Sequence, residues 1–163
     1  MAGEKVMEVC IKYFKLHQKI KDLPVAMLTT TDRDGCLQSF PMYTVQSECE
    51  GSLWFFASFN GQRVKEMEFN RNVNLSYSSP EKGIYVSICG EAEFVRDEEK
   101  IDELWKPMFE AWFPRGKKDS QLSLLKINMK NAFCWDPAEG HMSSLWDISE
   151  AIAVEKETHN LPH

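Results

Sequence analysis

The sequence has no long basic run, no apolar stretch of membrane-spanning length and no closely spaced pair of cysteines. Each absence removes a class of function. Neutralising a nucleic-acid backbone takes clustered Lys and Arg, whereas here 19 Lys and Arg stand against 25 Asp and Glu for a formal charge of −6. Nucleic acid is therefore not an expected partner, and an anionic ligand needs a local positive site set against the overall field. A membrane helix takes about 18 consecutive apolar residues. None is present, and the N-terminal "MAGEKVMEVCIKYFKLHQK" alternates charged and apolar residues where a signal peptide has its apolar core. A cytoplasmic protein with no membrane partner is expected.

The five cysteines, Cys10, Cys36, Cys49, Cys89 and Cys134, are odd in number and scattered, which fits reduced thiols. His17, His141, His159 and His163 lack the short-spaced partners of a metal site, so no metal is expected. There is no nucleophile–base pair and no carboxylate dyad. Asp97, Glu98 and Glu99 read as a solvated helix start, and Ser143 and Ser144 lie in no nucleophile elbow. Chemistry, where there is any, then falls to a cofactor. Repeats and low-complexity segments are absent too.

What is present is a chain of 163 residues with 43% hydrophobic, 27% charged and 12% aromatic content, ordinary for a globular protein and enough for one domain with a sizeable core. The aromatics fall in two groups, Trp54, Phe55, Phe56 and Phe59, then Trp105, Phe109, Trp112 and Phe113. Core or subunit interface is the plain reading of both. A charged–apolar pattern over 4–21, with Val6, Val9, Cys10, Tyr13, Phe14 and His17 at three- and four-residue steps, predicts a helix that ends before Pro24. "VAMLTTT", the turn "DRDG" and "CLQSFPMYTV" predict a hairpin, followed by the strand "SLWFFAS" and a short helix over 63–69. "NVNLSYSS" and "GIYVSICGEAEFVR" are further strands, with Gly90 marking a bulge or a close backbone approach. Residues 97–113 read as one helix with Ile101, Leu104, Trp105, Met108, Phe109 and Trp112 on its apolar stripe. "LSLLKINM" and "NAFCWD" read as two last strands. A mainly-β fold is expected, an antiparallel barrel over residues 1–136 with flanking helices, then a 137–163 tail in which "SLWDISEAIAV" makes one further helix.

Two stretches stand out as candidate ligand contacts. Asn60, Gly61, Gln62 and Arg63 join a strand to a helix. Such a turn either redirects the chain or cradles an anion on helix N-terminal amides, with Arg63 adding a bidentate contact. Thr29, Thr30 and Thr31 either hold the polar edge of a planar ligand or are β-branched residues suited to a strand.

In order and without large gaps, "AMLTTTDRDG", "PMYT", "GSLWFFAS", "RNVNLSYSSPEKGIYVSICGEAEFVRDEEKIDELW", "AWFPRG" and "LLKINMKNAFCWD" resemble the pyridoxamine 5′-phosphate oxidase-like superfamily, in particular its general stress protein branch. The resemblance implies a split β-barrel homodimer that binds flavin mononucleotide (FMN) at the subunit interface, with FAD or another planar molecule as the alternative ligand. It implies that Met27, Leu28, Thr29 and Thr30 edge the flavin ring and that Phe56, Ala57 and Ser58 line it. Asn60, Gly61, Gln62 and Arg63 then face the phosphate, and Trp112 closes the pocket from the other subunit. Two departures accompany the match. Flavin-binding relatives carry an Arg where Phe40 stands, and a Ser and a Lys where this chain has Gly61 and Arg63. One missing charge-assisted bond of about 1.5–3 kcal/mol weakens FMN by about ten- to a hundredfold. The expected function is a flavin-binding dimer, acting as an oxidoreductase with a nicotinamide donor. The alternatives are a non-enzymatic barrel holding another planar ligand, and an interaction protein whose tail binds a partner. Pyridoxamine-phosphate oxidation itself would need a second basic set for a substrate phosphate, which the sequence lacks.

Overall fold

A computed structural model describes residues 2–48 and 51–147. Seven strands follow one another as β1 (Val25–Thr31), β2 (Leu37–Glu48), β3 (Ser52–Ser58), β4 (Asn72–Ser79), β5 (Ile84–Val95), β6 (Leu122–Trp135) and β7 (Met142–Asp147). Helix α1 (Ala2–Ile20) precedes them, α2 (Gly61–Phe69) follows β3, and α3 (Glu98–Leu104) with a 3-10 turn at Pro107–Ala111 follows β5. The sheet order β3-β2-β1-β4-β5-β6 closes on itself through β3–β6 pairing, and β7 is added beside β6. Every pairing is antiparallel. This is the expected split barrel, closed by six strands.

Alternation places the core. Ala26 and Leu28 of β1, Val73, Leu75 and Tyr77 of β4, and Val86 and Ile88 of β5 turn inward and are almost fully buried. Each such large side chain contributes about 1.5–3 kcal/mol by leaving water. Strand β3 does not alternate because both its faces are covered. Leu53, Phe55 and Ala57 enter the barrel, while Trp54 and Phe56 join Ile101, Phe109, Leu122 and Leu124 in a second cluster outside it. The two sequence groups of aromatics thus meet in one place, with Phe56 5.3 Å from Trp105 and 5.1 Å from Phe109 between ring centroids.

Local chemistry sets the turns. Asp32 accepts from the Asp34 and Cys36 amides, and Gly35 supplies the positive φ of +82° in the β1–β2 hairpin. Gly90 sits where the β5–β6 register shifts, and a Cβ there would lie 2.6 Å from the Asn128 carbonyl oxygen. The close approach expected of Gly90 is therefore present.

Four expectations are corrected. The helix over 97–113 stops at Leu104, because Pro107 forces Lys106 to extended backbone (φ −128°, ψ 149°), and a 3-10 turn resumes beyond it. Met108 and Trp112 consequently leave the apolar stripe and are exposed. "LSLLKINM" and "NAFCWD" are one 14-residue strand, β6, continuous through the bulge opposite Gly90. Residues 142–147 pair with β6 as β7 and are not helical, while residues 148–163 lie outside the described residues. On α1, Leu16 and Ile20 are buried and Tyr13 is partly so, whereas Cys10 and Phe14 face outward; the side chains of Val6 and Val9 lie outside the described ones. Among the described residues no helix is long and apolar enough to cross a membrane.

Candidate functional site

Strand β3 ends at Ser58, and the chain turns through Phe59 into α2. Asn60 is the N-cap (φ −64°, ψ 160°), and its side-chain oxygen accepts the Arg63 amide at 2.9 Å. That leaves the Gly61 and Gln62 amides at the helix start without intrahelical acceptors. The approach to them is open, since a Cβ on Gly61 would meet nothing within 4 Å. The helix dipole makes this end positive.

Arg63 strengthens the same end. Its guanidinium carbon lies 3.9 Å from the Phe40 ring centroid and 5.6 Å from that of Phe59, and Nη2 donates to Gln38 Oε1 at 3.4 Å. Phe40 and Phe59 themselves stand 6.0 Å apart at 54°. Phe40 is thus the shelf on which the Arg63 guanidinium rests.

Phe40 is also a wall of a cavity of about 440 Å³, bounded by residues 40–43 of β2, residues 56–59 and the loop that starts at Trp112. That size falls within the roughly 300–1,000 Å³ of small-molecule sites. The walls are aromatic. Tyr43 packs edge-on to Trp112 at 6.0 Å and to Phe109 at 5.4 Å, and Phe56 meets Phe113 at 6.2 Å. Polar groups converge from Ser58, Arg115, Asp119 and Gln121, and Asp119 Oδ1 is anchored by the Gln121 amide at 3.0 Å. Behind β2, Thr44 and Tyr77 hydroxyls bond at 2.6 Å, and burial pushes the Tyr77 phenol well above its ordinary range. That network fixes the β2 backbone beside Tyr43.

Of the residues singled out from sequence, Phe56, Ala57, Ser58 and Trp112 line this cavity together. Asn60, Gly61, Gln62 and Arg63 sit at the adjoining helix start. Trp112 lines the cavity alongside Phe56 and Ser58 of the same chain. Met27, Leu28, Thr29 and Thr30 do not line it. Leu28 and Thr30 point into the barrel at 0% and 7% exposure, and Thr29 on the outer face bonds Ser39 at 2.7 Å. Strand β2 stands between them and the cavity, with Leu28 opposite Phe40. Cys89 is likewise on the outer face, near Asn74 Nδ2 at 3.6 Å, and outside the cavity lining. Sequence reasoning missed Tyr43, Arg115, Asp119 and Gln121 as lining residues. The first two lie within "PMYT" and "AWFPRG", so the signal was in the motifs. Asp119 and Gln121 carried none.

The family model described as pyridoxamine 5′-phosphate oxidase like matches residues 12–160. The chain belongs to the pyridoxamine 5′-phosphate oxidase-like family. No curated protein matches it. Among solved structures, a protein of Clostridium acetobutylicum related to general stress protein 26 superposes with a TM-score of 0.73 at 15% identity, covering 85% of this chain and 95% of that one. General stress protein 26 of Bacillus anthracis gives 0.62 at 19% identity, with 79% and 98% covered. These two likenesses establish the fold. A general stress FMN/FAD binding protein of Xanthomonas citri is 28% identical, with a TM-score of 0.63 over 75% of this chain and 86% of that one. The general stress branch of the family is where the chain's similarity lies.

Proposed function

We propose that this member of the family binds FMN in the Phe40–Trp112 cavity and works as a homodimeric flavin-dependent oxidoreductase with a nicotinamide donor. The observation that carries this reading is the positive helix start, with Arg63 laid on Phe40, opening beside an aromatic-walled cavity of about 440 Å³. An aromatic slot next to a phosphate cradle suits a planar ring on a phosphorylated chain. The FMN/FAD binding relative in Xanthomonas citri points to the same ligand class.

In this reading the Gly61 and Gln62 amides and Arg63 hold the phosphate. Phe56, Ala57, Ser58 and Trp112 hold the ring and keep water from it. When bound, FMN supplies the ability to accept and pass on a hydride or single electrons. Leu28 and Thr30 act only as barrel core, while Met27 and Thr29 belong to the face that a second copy covers.

That face supports the dimer. Pro41, Met27, Ser76, Ser87, Phe133 and Ser144 follow one another across six strands in register. Around the small serines of this row, Val25, Met27, Tyr85, Phe133, Trp135 and Met142 are each 38–49% exposed. An apolar surface of this extent on a barrel wall suits a self-complementary interface.

A second reading follows from Phe40 itself, which makes half of the phosphate end apolar. It is a non-enzymatic barrel for a planar ligand without phosphate. Titrating FMN and riboflavin into the protein and into Arg63→Gln separates the two. The flavin reading expects FMN to bind about tenfold or more tighter than riboflavin, with the difference lost in the variant. Riboflavin binding as tightly as FMN, with no flavin-dependent oxidation of NADH or NADPH, would support the second.

A further inference from the structure

A second cavity, of about 460 Å³, opens on the other side of the 113–121 loop and shares Asp119 with the first. Its floor is apolar, from Ile101 and Leu122, which are 5% and 2% exposed. Its rim carries Arg96, Lys117 and Lys118 together with Glu98 and Asp102. The stretch "RGKK" (115–118) places three cations in four residues, the densest such cluster in a chain of net charge −6. It borders both cavities, with Arg115 on the first and Lys117 and Lys118 on the second.

The rim is already organised. Lys117 Nζ meets Asp102 Oδ1 at 2.8 Å, and Arg96 Nη2 donates to the Ser120 carbonyl. Lys118 is exposed and pairs with nothing among the described residues. A bare phosphate fits this set poorly, because Glu98, Asp102 and Asp119 oppose it. A ligand that needs cations and carboxylates together fits better. In a nucleoside phosphate the base covers an apolar floor, the ribose hydroxyls donate to carboxylates, and the phosphate takes the lysines.

We infer that the second cavity binds the adenosine 5′-phosphate half of a dinucleotide. This rests on the flavin reading of the first cavity, and the shared Asp119 makes the two sites neighbours on one track. Two sources supply the same chemistry. In FAD, that half extends from the flavin already seated in the first cavity. In a nicotinamide dinucleotide, it anchors the electron donor beside the flavin.

The test is calorimetric titration of 5′-AMP into the full chain, with and without FMN, for the wild type and Lys118→Glu. The inference expects AMP to bind the wild type and to weaken about tenfold or more in the variant, with FMN affinity unchanged. No heat from AMP at millimolar concentration would overturn it. So would AMP binding that Lys118→Glu leaves intact. FMN binding is scored separately, so AMP binding without FMN binding overturns the flavin reading and keeps the nucleotide site. AMP that competes with FAD, in a protein that prefers FAD to FMN, identifies FAD as the source. AMP that competes with NADH in a protein that binds FAD and FMN equally identifies the donor.

Discussion

Replacing Phe40 separates the two effects its ring has on the phosphate end. The Arg63 guanidinium carbon is 3.9 Å from the ring centroid, and the ring is only half-buried. A cation–π contact contributes about 0.5–1 kcal/mol when exposed and about 2 kcal/mol when desolvated, so about 1 kcal/mol applies here. Phe40→Leu removes that shelf, frees Arg63, and lowers FMN affinity about fivefold. Riboflavin, with no phosphate for Arg63 to hold, weakens by a smaller factor. Phe40→Arg removes the shelf as well but adds a second guanidinium. A charge-assisted bond of about 1.5–3 kcal/mol exceeds the loss of about 1 kcal/mol, so FMN binds about two- to thirtyfold tighter. Quenching of tryptophan emission reads both titrations, because Trp112 lines the cavity. Thermal melting without ligand reports separately on packing against Phe59, 6.0 Å away. Equal weakening of FMN and riboflavin in Phe40→Leu would show that Phe40 acts as a wall and not as a shelf. FMN affinity unchanged or lowered in Phe40→Arg would refute the placement of the phosphate.

Three further outcomes follow from the fold. Gly90→Ala puts a Cβ 2.6 Å from the Asn128 carbonyl and 2.9 Å from Ile127 Cγ2, so it destabilises by about 1–3 kcal/mol, read as a lowered urea midpoint. Asn60→Ala removes the acceptor of the Arg63 amide and costs about 0.5–2 kcal/mol, read in the same way, and it also weakens FMN because the cradle frays. The hydrogen bond from Lys19 holds the Asp136 carboxyl below its ordinary range, with the Ala138 amide adding to it. Its stabilisation is therefore present above the ordinary carboxylate range and is lost as pH falls through the lowered value. In Asp136→Asn, urea midpoints measured from neutral pH downward lose that acid-limb dependence. The same bond holds the Lys19 pKa above its ordinary value, so the share Lys19 contributes is fully present below the ordinary lysine range and is lost as pH rises through the raised value.

The barrel was legible because its strands alternate over a single core and are punctuated by Asp-Gly and Pro turns. The continuous apolar run of β3 was legible as a strand, and its lack of alternation is explained by the second cluster that covers its outer face. What sequence reasoning misread were competitions between local pattern and tertiary context. The apolar spacing of 97–113 is helical, yet Pro107 breaks it, and the 3-10 turn then carries Phe109 into the core and leaves Trp112 beside the cavity. The polar Lys130 and Asn131 look like a strand end, but they fall at a bulge where Lys130 pairs with Glu91 at 2.9 Å, and the strand continues. Residues 142–147 have no strong period of their own and become a strand because β6 offers them an edge. In the candidate site, Asn60 to Arg63 and Phe56 to Ser58 were readable from the turn and the motif. The role of Phe40 under Arg63 was not, because a cation–π contact between residues 23 apart leaves no local mark.

The most direct measurement is the visible spectrum of the purified chain after FMN is added and the mixture is passed through gel filtration. A flavin band that elutes with the protein at the size of a dimer is the predicted result. Flavin that elutes entirely as free FMN, at protein concentrations well above micromolar, would contradict it.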